Sequence, residues 1–194
     1  MDHGPTQSPA VFDVLVVGAG PAGLMAAEQA AQAGMRVAVA EAMPSPARKF
    51  LMAGKSGLNL TKAEKPEAFL QYFDAISSLK PILSEFGPDE VIGFAEGLGQ
   101  EVFTGSTGRV FPTRMKASPL LRAWLARLDA LGVVLLRRHR WVGPLTPHMQ
   151  HLFETPKGKV PLTAGALILA LGGASWARLG SDGTWQRAVA AAGL

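Results

Sequence analysis

The chain has 194 residues, 48% hydrophobic and 18% charged, which suffices for one domain with a sizeable core. It holds no cysteine, which excludes disulfides, thiolate metal sites, thiol nucleophiles and redox-active dithiols, and fits a reducing cytoplasm. The formal net charge of +4 is mild, and Lys and Arg are spread along the chain except for Arg137, Arg138 and Arg140, which suit a strand end or a phosphate better than a nucleic-acid surface.

Residues 1–11 are polar and Pro-containing, with no basic and apolar regions of a signal peptide, and are expected to form a flexible tail before a dinucleotide-binding domain over 12–194. The most apolar windows, Val11 to Ala27 and Ala164 to Ala174, are broken by Asp13, glycines and Pro21 or are too short to cross a bilayer, so no membrane span is expected.

The β-branched run Val14 to Val17 leads into Gly18, Gly20 and Gly23 at G-x-G-x-x-G spacing. An Ala-rich helical segment then closes at Gly34, and a second strand, Arg36 to Ala40, ends in Glu41. In this arrangement Gly18 permits the turn out of the strand, Gly20 admits a pyrophosphate to the backbone, and Gly23 lets the helix pack closely on the sheet. The helix start offers N–H groups and a positive dipole end to phosphate. Glu41, eighteen residues past Gly23, stands where a carboxylate accepts the ribose hydroxyls of an adenosine. The acid disfavours a 2′-phosphate and with it NADP; FAD and NAD both fit.

The next stretch, Ala42 to Phe69, is too rich in Pro, Gly and small residues for one regular element. Its centre carries Lys49, Lys55, Ser56, Gly57, Asn59 and Thr61, donors that suit the phosphates and ribityl chain of a dinucleotide. Helical spacing of Phe69, Leu70, Phe73 and Ile76 predicts a helix over 66–79, a shorter one follows over 81–86, and Asp89 is placed to cap a third. A hairpin is expected to pair Glu101 to Phe103 with Arg109 to Phe111.

Ser118-Pro119 reads as an N-cap followed by Pro at the first helical position. The helix it opens carries a stripe of Leu120, Leu121, Trp124, Leu125, Leu128 and Leu131, up to Gly132. A buried strand, Val133 to Leu136, is then expected parallel to the first two. Trp141 to Leu145, His151 to Glu154 and Val160 to Leu162, with Pro144 and Pro147 between, predict an antiparallel meander. Ala166 to Leu171 is expected as a strand covered on both faces, ending in Gly172-Gly173. Ser181-Asp182-Gly183 starts a last helix that reaches Leu194.

This order of parts resembles the glutathione-reductase-type FAD fold. RKFLMAGKSGLNLT, GRVFP followed by KASPLLRAWLARL, and ALGGASWARLGSDG resemble the BaiN-like family of bacterial flavoproteins, also called YhiN-like or aminoacetone-oxidase-like NAD(P)/FAD-dependent oxidoreductases. The resemblance implies an α/β fold, a glutathione-reductase-type (Rossmann-like) FAD-binding parallel sheet with helices and a three-stranded antiparallel β-meander. It further implies that Gly18, Ala19, Gly20, Pro21, Ala22 and Gly23 hold the pyrophosphate and that Glu41 with Ala42 holds the ribose. Lys49, Ser56, Gly57, Asn59 and Thr61 would hold the rest of the FAD. Trp141 or Val142 would meet adenine through its backbone, and Ala170, Gly172 and Gly173 would lie against the cofactor.

Where many relatives have S-G-G-G-R-C-N, this chain has Ala53 to Asn59, and the usual A-T-G-G is Ala170-Leu171-Gly172-Gly173; the Cys and Thr side chains are lost while backbone contacts survive. Members of that family are about twice as long, so the resemblance implies an N-terminal portion that lacks the insertion domain and the C-terminal segment around the flavin, where the catalytic residues are expected.

His3, His139, His148 and His151 have no metal-ligand spacing, Ser56 and Ser118 no triad partners, and Tyr72 sits on an amphipathic helix. The whole protein is therefore expected to be an FAD-dependent oxidoreductase that moves a hydride between a small-molecule substrate or NAD(P)H and the flavin. Two alternatives stay open: an NAD-linked Rossmann dehydrogenase, and a dinucleotide-binding module without turnover.

Overall fold

The computed structural model describes residues 11–73, 77–143, 145 and 150–193. The expectations for residues 1–10 of the tail with His3, for Ile76, Pro144, Pro147 and His148, and for a helix end at Leu194 lie outside the described residues, whereas Val11, expected in the tail, is the first residue of a strand paired with Thr163. The chain divides into two compact units, residues 1–49 with 127–194, and residues 50–126.

The first unit is built on a β-α-β start. Strand β1, Val11–Val17, buries its last four residues, and helix α1, Pro21–Gln32, follows it. Gly20 is the N-cap of α1 in extended backbone, and Pro21 takes the first helical position, where a missing N–H costs nothing. Gly34, at φ 81°, ends the helix: its N–H donates to Ala31 O while Met35 N–H reaches Ala30 O. Strand β2, Val37–Glu41, pairs parallel to β1 with Val14 opposite Val37.

A short helix α2, Arg48–Ala53, straddles the boundary between the units and puts one regular element into a stretch expected to be irregular. The second unit holds β3, Thr61–Lys62, helices α3 (Pro66–Gln71), α4 (Lys80–Glu85) and α5 (Pro88–Gly97), and strands β4 (Val102–Thr104) and β5 (Arg109–Pro112). The expected hairpin is present as β4–β5, and β3 adds to its other side to give the order β3-β5-β4. The predicted helix over 66–79 is instead the six-residue α3, with a separate 3-10 turn at Ser77–Leu79. Asp89 is not the cap of α5; Gly87 is, and the Glu90 carboxylate accepts its N–H at 2.9 Å.

Helix α6, Ala117–Ala130, begins one residue before the expected cap, so Ser118 lies inside the first turn. Of its expected stripe, Leu120, Leu121, Trp124 and Leu128 are buried, and Leu125 and Leu131 are half-buried. Phe94 meets Trp124 edge to face at 4.8 Å. In the first unit, α6 and α1 are tied by Arg127 Nη1 donating to Glu28 Oε1 at 2.9 Å, with Glu28 only 2% exposed.

The remaining strands are β6 (Val134–Arg137), β7 (Arg140–Trp141), β8 (Gln150–Thr155) and β9 (Gly158–Leu169). The main sheet has the order β6-β2-β1-β9-β8-β7, with β6, β2, β1 and β9 parallel and β8 and β7 antiparallel. Two expectations need correction. Strand β6 is parallel as expected but not buried: it forms the sheet edge, and Val134 is 43% exposed. Val160 to Leu162 and Ala166 to Leu171 are not two strands but parts of the single β9, which pairs antiparallel to β8 up to Thr163 and parallel to β1 from Thr163 onward. The second part is not covered on both faces either; Ala166 is exposed and Leu167 to Leu169 are half-buried.

Because β9 belongs to both halves, Phe153, Leu162 and Ala164 share one buried cluster with Leu15, Val17, Ala38 and Ala40. After β9 come a 3-10 turn, Ala177–Leu179, and helix α7, Trp185–Ala191. Asp182 does not start that helix directly: its Oδ1 accepts from Thr184 N–H at 3.0 Å and Thr184 Oγ1 at 2.7 Å, and Thr184 is the N-cap.

Candidate functional site

The carboxyl ends of β1, β2 and β9 lie side by side, the place where open α/β sheets bind ligands. There the three glycines have different tasks. A Cβ on Gly18, at φ 105°, would stand 2.3 Å from Ala170 O, so this residue clears the way for the end of β9 as well as making the turn. A Cβ on Gly23 would be 1.9 Å from Gly18 O and 3.2 Å from Ala170 Cβ, which is the close helix-to-strand packing expected of it. A Cβ on Gly20 would meet no atom within 4 Å. The space over Gly20 is open, and beside it the N–H groups of Ala22 and Gly23 precede the first helical bond of α1, Leu24 N–H to Gly20 O.

Glu41 sits at the end of β2 and is tied to the glycine turn. Its Oε2 accepts from Ala19 N–H at 3.0 Å and its Oε1 from Met43 N–H at 2.7 Å. A carboxylate offers about four lone-pair positions, so these two bonds fix its orientation and leave acceptor capacity for hydroxyls. Ala19, fully buried, accepts in turn from Ala47 N–H at 2.8 Å, and Ala47 holds the left-handed conformation at φ 53°. Ala42 continues this turn, next to Met43, whose O accepts from Arg138 N–H. Sequence reasoning missed Met43 and Ala47, because a backbone partner and an alanine in a glycine-like conformation leave no composition signal.

The second glycine turn, at the end of β9, is set against the first by Ala170 N–H donating to Val17 O at 2.8 Å. Gly172 is at φ 71°, and a Cβ on either Gly172 or Gly173 would meet nothing within 4 Å. Lys49 does not stand apart from this turn: its Nζ donates to Gly173 O at 2.6 Å and to Ser181 O at 3.0 Å. Gly172 O accepts from Trp185 Nε1 at 2.9 Å and Ser181 Oγ at 3.3 Å, two partners the sequence did not single out. Trp141 is paired with Phe153, and its Nε1 is buried without a hydrogen-bond partner among the described residues. Val142 N–H is committed to Leu152 O at 3.1 Å, which removes that donor from any adenine contact.

Ser56, Gly57, Asn59 and Thr61 belong to the second unit. There the loop leans on the segment before α6. A Cβ on Gly54 would reach 2.6 Å from Ala117 Cβ, Leu58 N–H donates to Met115 O, and Leu60 N–H donates to Val110 O at 2.9 Å. Ser56 and Asn59 are exposed. A cavity of about 260 Å³ in this unit, lined by Gly99, Gln100, Glu101, Thr113 and Arg114, contains none of the expected site residues. Among the described residues no group of His, Cys, Asp or Glu could hold a metal, and no helix is long and apolar enough to cross a membrane.

Several titratable groups elsewhere in the first unit depart from their ordinary behaviour. Asp13 accepts hydrogen bonds from the Arg36 guanidinium and backbone N–H, which hold its pKa down to about 2, and Arg36 is raised in return. His151, 6% exposed on β8, has its pKa lowered by burial.

A βαβ start with an open glycine turn, an acid at the second strand end and a second glycine turn beside the first define a Rossmann-type dinucleotide-binding fold. The chain belongs to the family described as the HI0933-like protein Rossmann domain, whose model matches residues 12–194. In fold it is similar to 3-ketosteroid-delta4-(5alpha)-dehydrogenase from Rhodococcus jostii RHA1, with a TM-score of 0.67, 17% identity and coverage of 86% of this chain and 47% of that one. It is similar also to a flavocytochrome c3 fumarate reductase, with a TM-score of 0.67, 22% identity and coverage of 88% and 34%. A third is THI4 of Thermovibrio ammonificans, with a TM-score of 0.54, 17% identity and coverage of 84% and 58%. The chain thus spans less than two thirds of the length of each of these structures.

Proposed function

We propose that this chain is the dinucleotide-holding part of a cytoplasmic FAD-dependent oxidoreductase that moves a hydride between a small-molecule substrate or NAD(P)H and the flavin. The observation that carries the reading is the open space over Gly20 between the α1 N-terminus and Glu41. A diphosphate placed there receives the Ala22 and Gly23 N–H groups and the positive end of the α1 dipole. Glu41, held by Ala19 and Met43, accepts the ribose hydroxyls with its remaining lone pairs. Gly172 and Gly173 let the second turn approach the same ligand without side chains in the way.

A bound flavin supplies the hydride-accepting ring, and the residues named above bind and orient it. Two of the similar structures are, by name, a steroid dehydrogenase and a flavocytochrome reductase, which supports redox chemistry on this fold. Visible absorption tests the reading. The purified chain titrated with FAD should develop a perturbed flavin band and saturate, while NADH alone should bind negligibly. Tight NADH binding with no flavin binding would move the assignment to an NAD-linked dehydrogenase.

A further inference from the structure

The segment from Gly172 to Trp185 leaves the end of β9 and returns to its own base before α7. Its neck is closed by side chains on two adjacent carbonyls: Trp185 Nε1 and Ser181 Oγ donate to Gly172 O, and Lys49 Nζ bridges Gly173 O and Ser181 O. A Cβ on Gly183 would be 3.1 Å from Ala174 Cβ, so the two limbs also touch directly. Compact surface loops with joined ends of this kind, about 6 to 16 residues long, are frequently functional. The tip carries Trp176, 52% exposed and in the left-handed conformation at φ 51°, a strained state that persists only where the surroundings hold it.

Lys49 lies far away in sequence, at the start of α2, and reaches both limbs of this loop. Its ammonium is directed at two carbonyl oxygens, and no acidic partner is involved in either bond. We propose that Lys49 is a positioning residue: a latch that preforms the Gly172 to Trp185 loop beside the first glycine turn, rather than a group that binds cofactor phosphate. Preformed loops spare a ligand the entropy of ordering them, so the latch should appear in cofactor affinity without touching the cofactor. This second consequence rests on the flavin reading given above; the first does not.

Amide hydrogen exchange on the cofactor-free chain tests the latch. Lys49→Met should speed exchange over residues 173–183 by on the order of tenfold or more, while the amides of β1 and β2 stay protected and Lys49→Arg restores the wild-type pattern. Trp185→Phe, which removes the other neck bond, should loosen the same residues, and it decides the matter if Lys49→Met does not fold. With FAD as probe, Lys49→Met should raise the dissociation constant about tenfold and Lys49→Arg should recover it. Unchanged exchange in cofactor-free Lys49→Met, or faster exchange with FAD affinity unaltered, would overturn the proposal. Failure of the wild-type chain to bind FAD would strike the flavin reading alone and leave the exchange result to stand.

Discussion

At the scale of single residues, the three glycines of one motif separate into two that serve packing and one, Gly20, with open space where its Cβ would stand. Adding a methyl at Gly23 drives it to 1.9 Å from Gly18 O, a backbone atom that cannot yield cheaply, so Gly23→Ala should lower stability by about 1–3 kcal/mol in urea unfolding. Gly20 has an ordinary φ of −80° and no neighbour within reach of a Cβ, so Gly20→Ala should leave stability within about 1 kcal/mol of wild type. Gly20→Val should fold and yet lose FAD retention, read by the flavin remaining after desalting. A folded Gly20→Val that keeps its flavin at wild-type affinity would sink the site. Glu41→Ala deletes two backbone partners as well as the ribose acceptor and should cost FAD affinity about 1.5–3 kcal/mol by titration. The motif was legible because its spacing is local. That Gly18 also clears Ala170 was not, since the two residues meet only once β9 is laid beside β1.

At the scale of elements, sequence reasoning succeeded where one period ran uninterrupted, as in α1 and the stripe of α6. It failed where local breakers sat inside an element. The gap from Thr163 to Gly165 divided β9 in the sequence, yet it lies inside one continuous strand, where Gly165 places its missing Cβ 3.2 Å from Asp13 O, a close approach that a side chain would disturb. The exposure of β6 was equally hidden, because an edge strand and an internal one share the apolar run Val133 to Leu136. The tie between α1 and α6 is another long-range feature without a local sign. Glu28 is deeply buried, and Arg127 supplies one of its partners, as does Gln32 at 3.4 Å. Arg127→Leu should therefore cost about 2–4 kcal/mol, since it takes a cationic partner from a buried carboxylate. The double variant with Glu28→Leu should recover part of that loss. Equal and additive losses in a double-mutant cycle would show that the pair is not coupled.

At the scale of the whole molecule, the sequence conveyed a dinucleotide fold over 12–194, and the structure resolves that span into two compact units whose borders fall inside α2 and α6. No composition shift marks those borders, because each helix carries residues of both units on one continuous pattern. The first unit also contains two groups through which stability follows pH. Asp13 and His151 both have pKa values below their ordinary ones, Asp13 through the bonds from Arg36 and His151 through burial. For both, the unfolded chain binds more protons in the titration range, so the stabilisation is complete above the unfolded pKa and is lost as pH falls. Asp13 acts only between the ordinary carboxylate value of 3.8 and about 2, and being exposed it contributes little. His151 acts from 6.5 downward, because the imidazole must be charged inside the sheet, opposite Leu162 on β9 and two residues from fully buried Phe153. Melting temperature should accordingly fall between about pH 7 and pH 5, and His151→Leu should flatten that part of the profile. A His151→Leu chain that keeps the wild-type slope between pH 7 and pH 5 would place the proton uptake on another group.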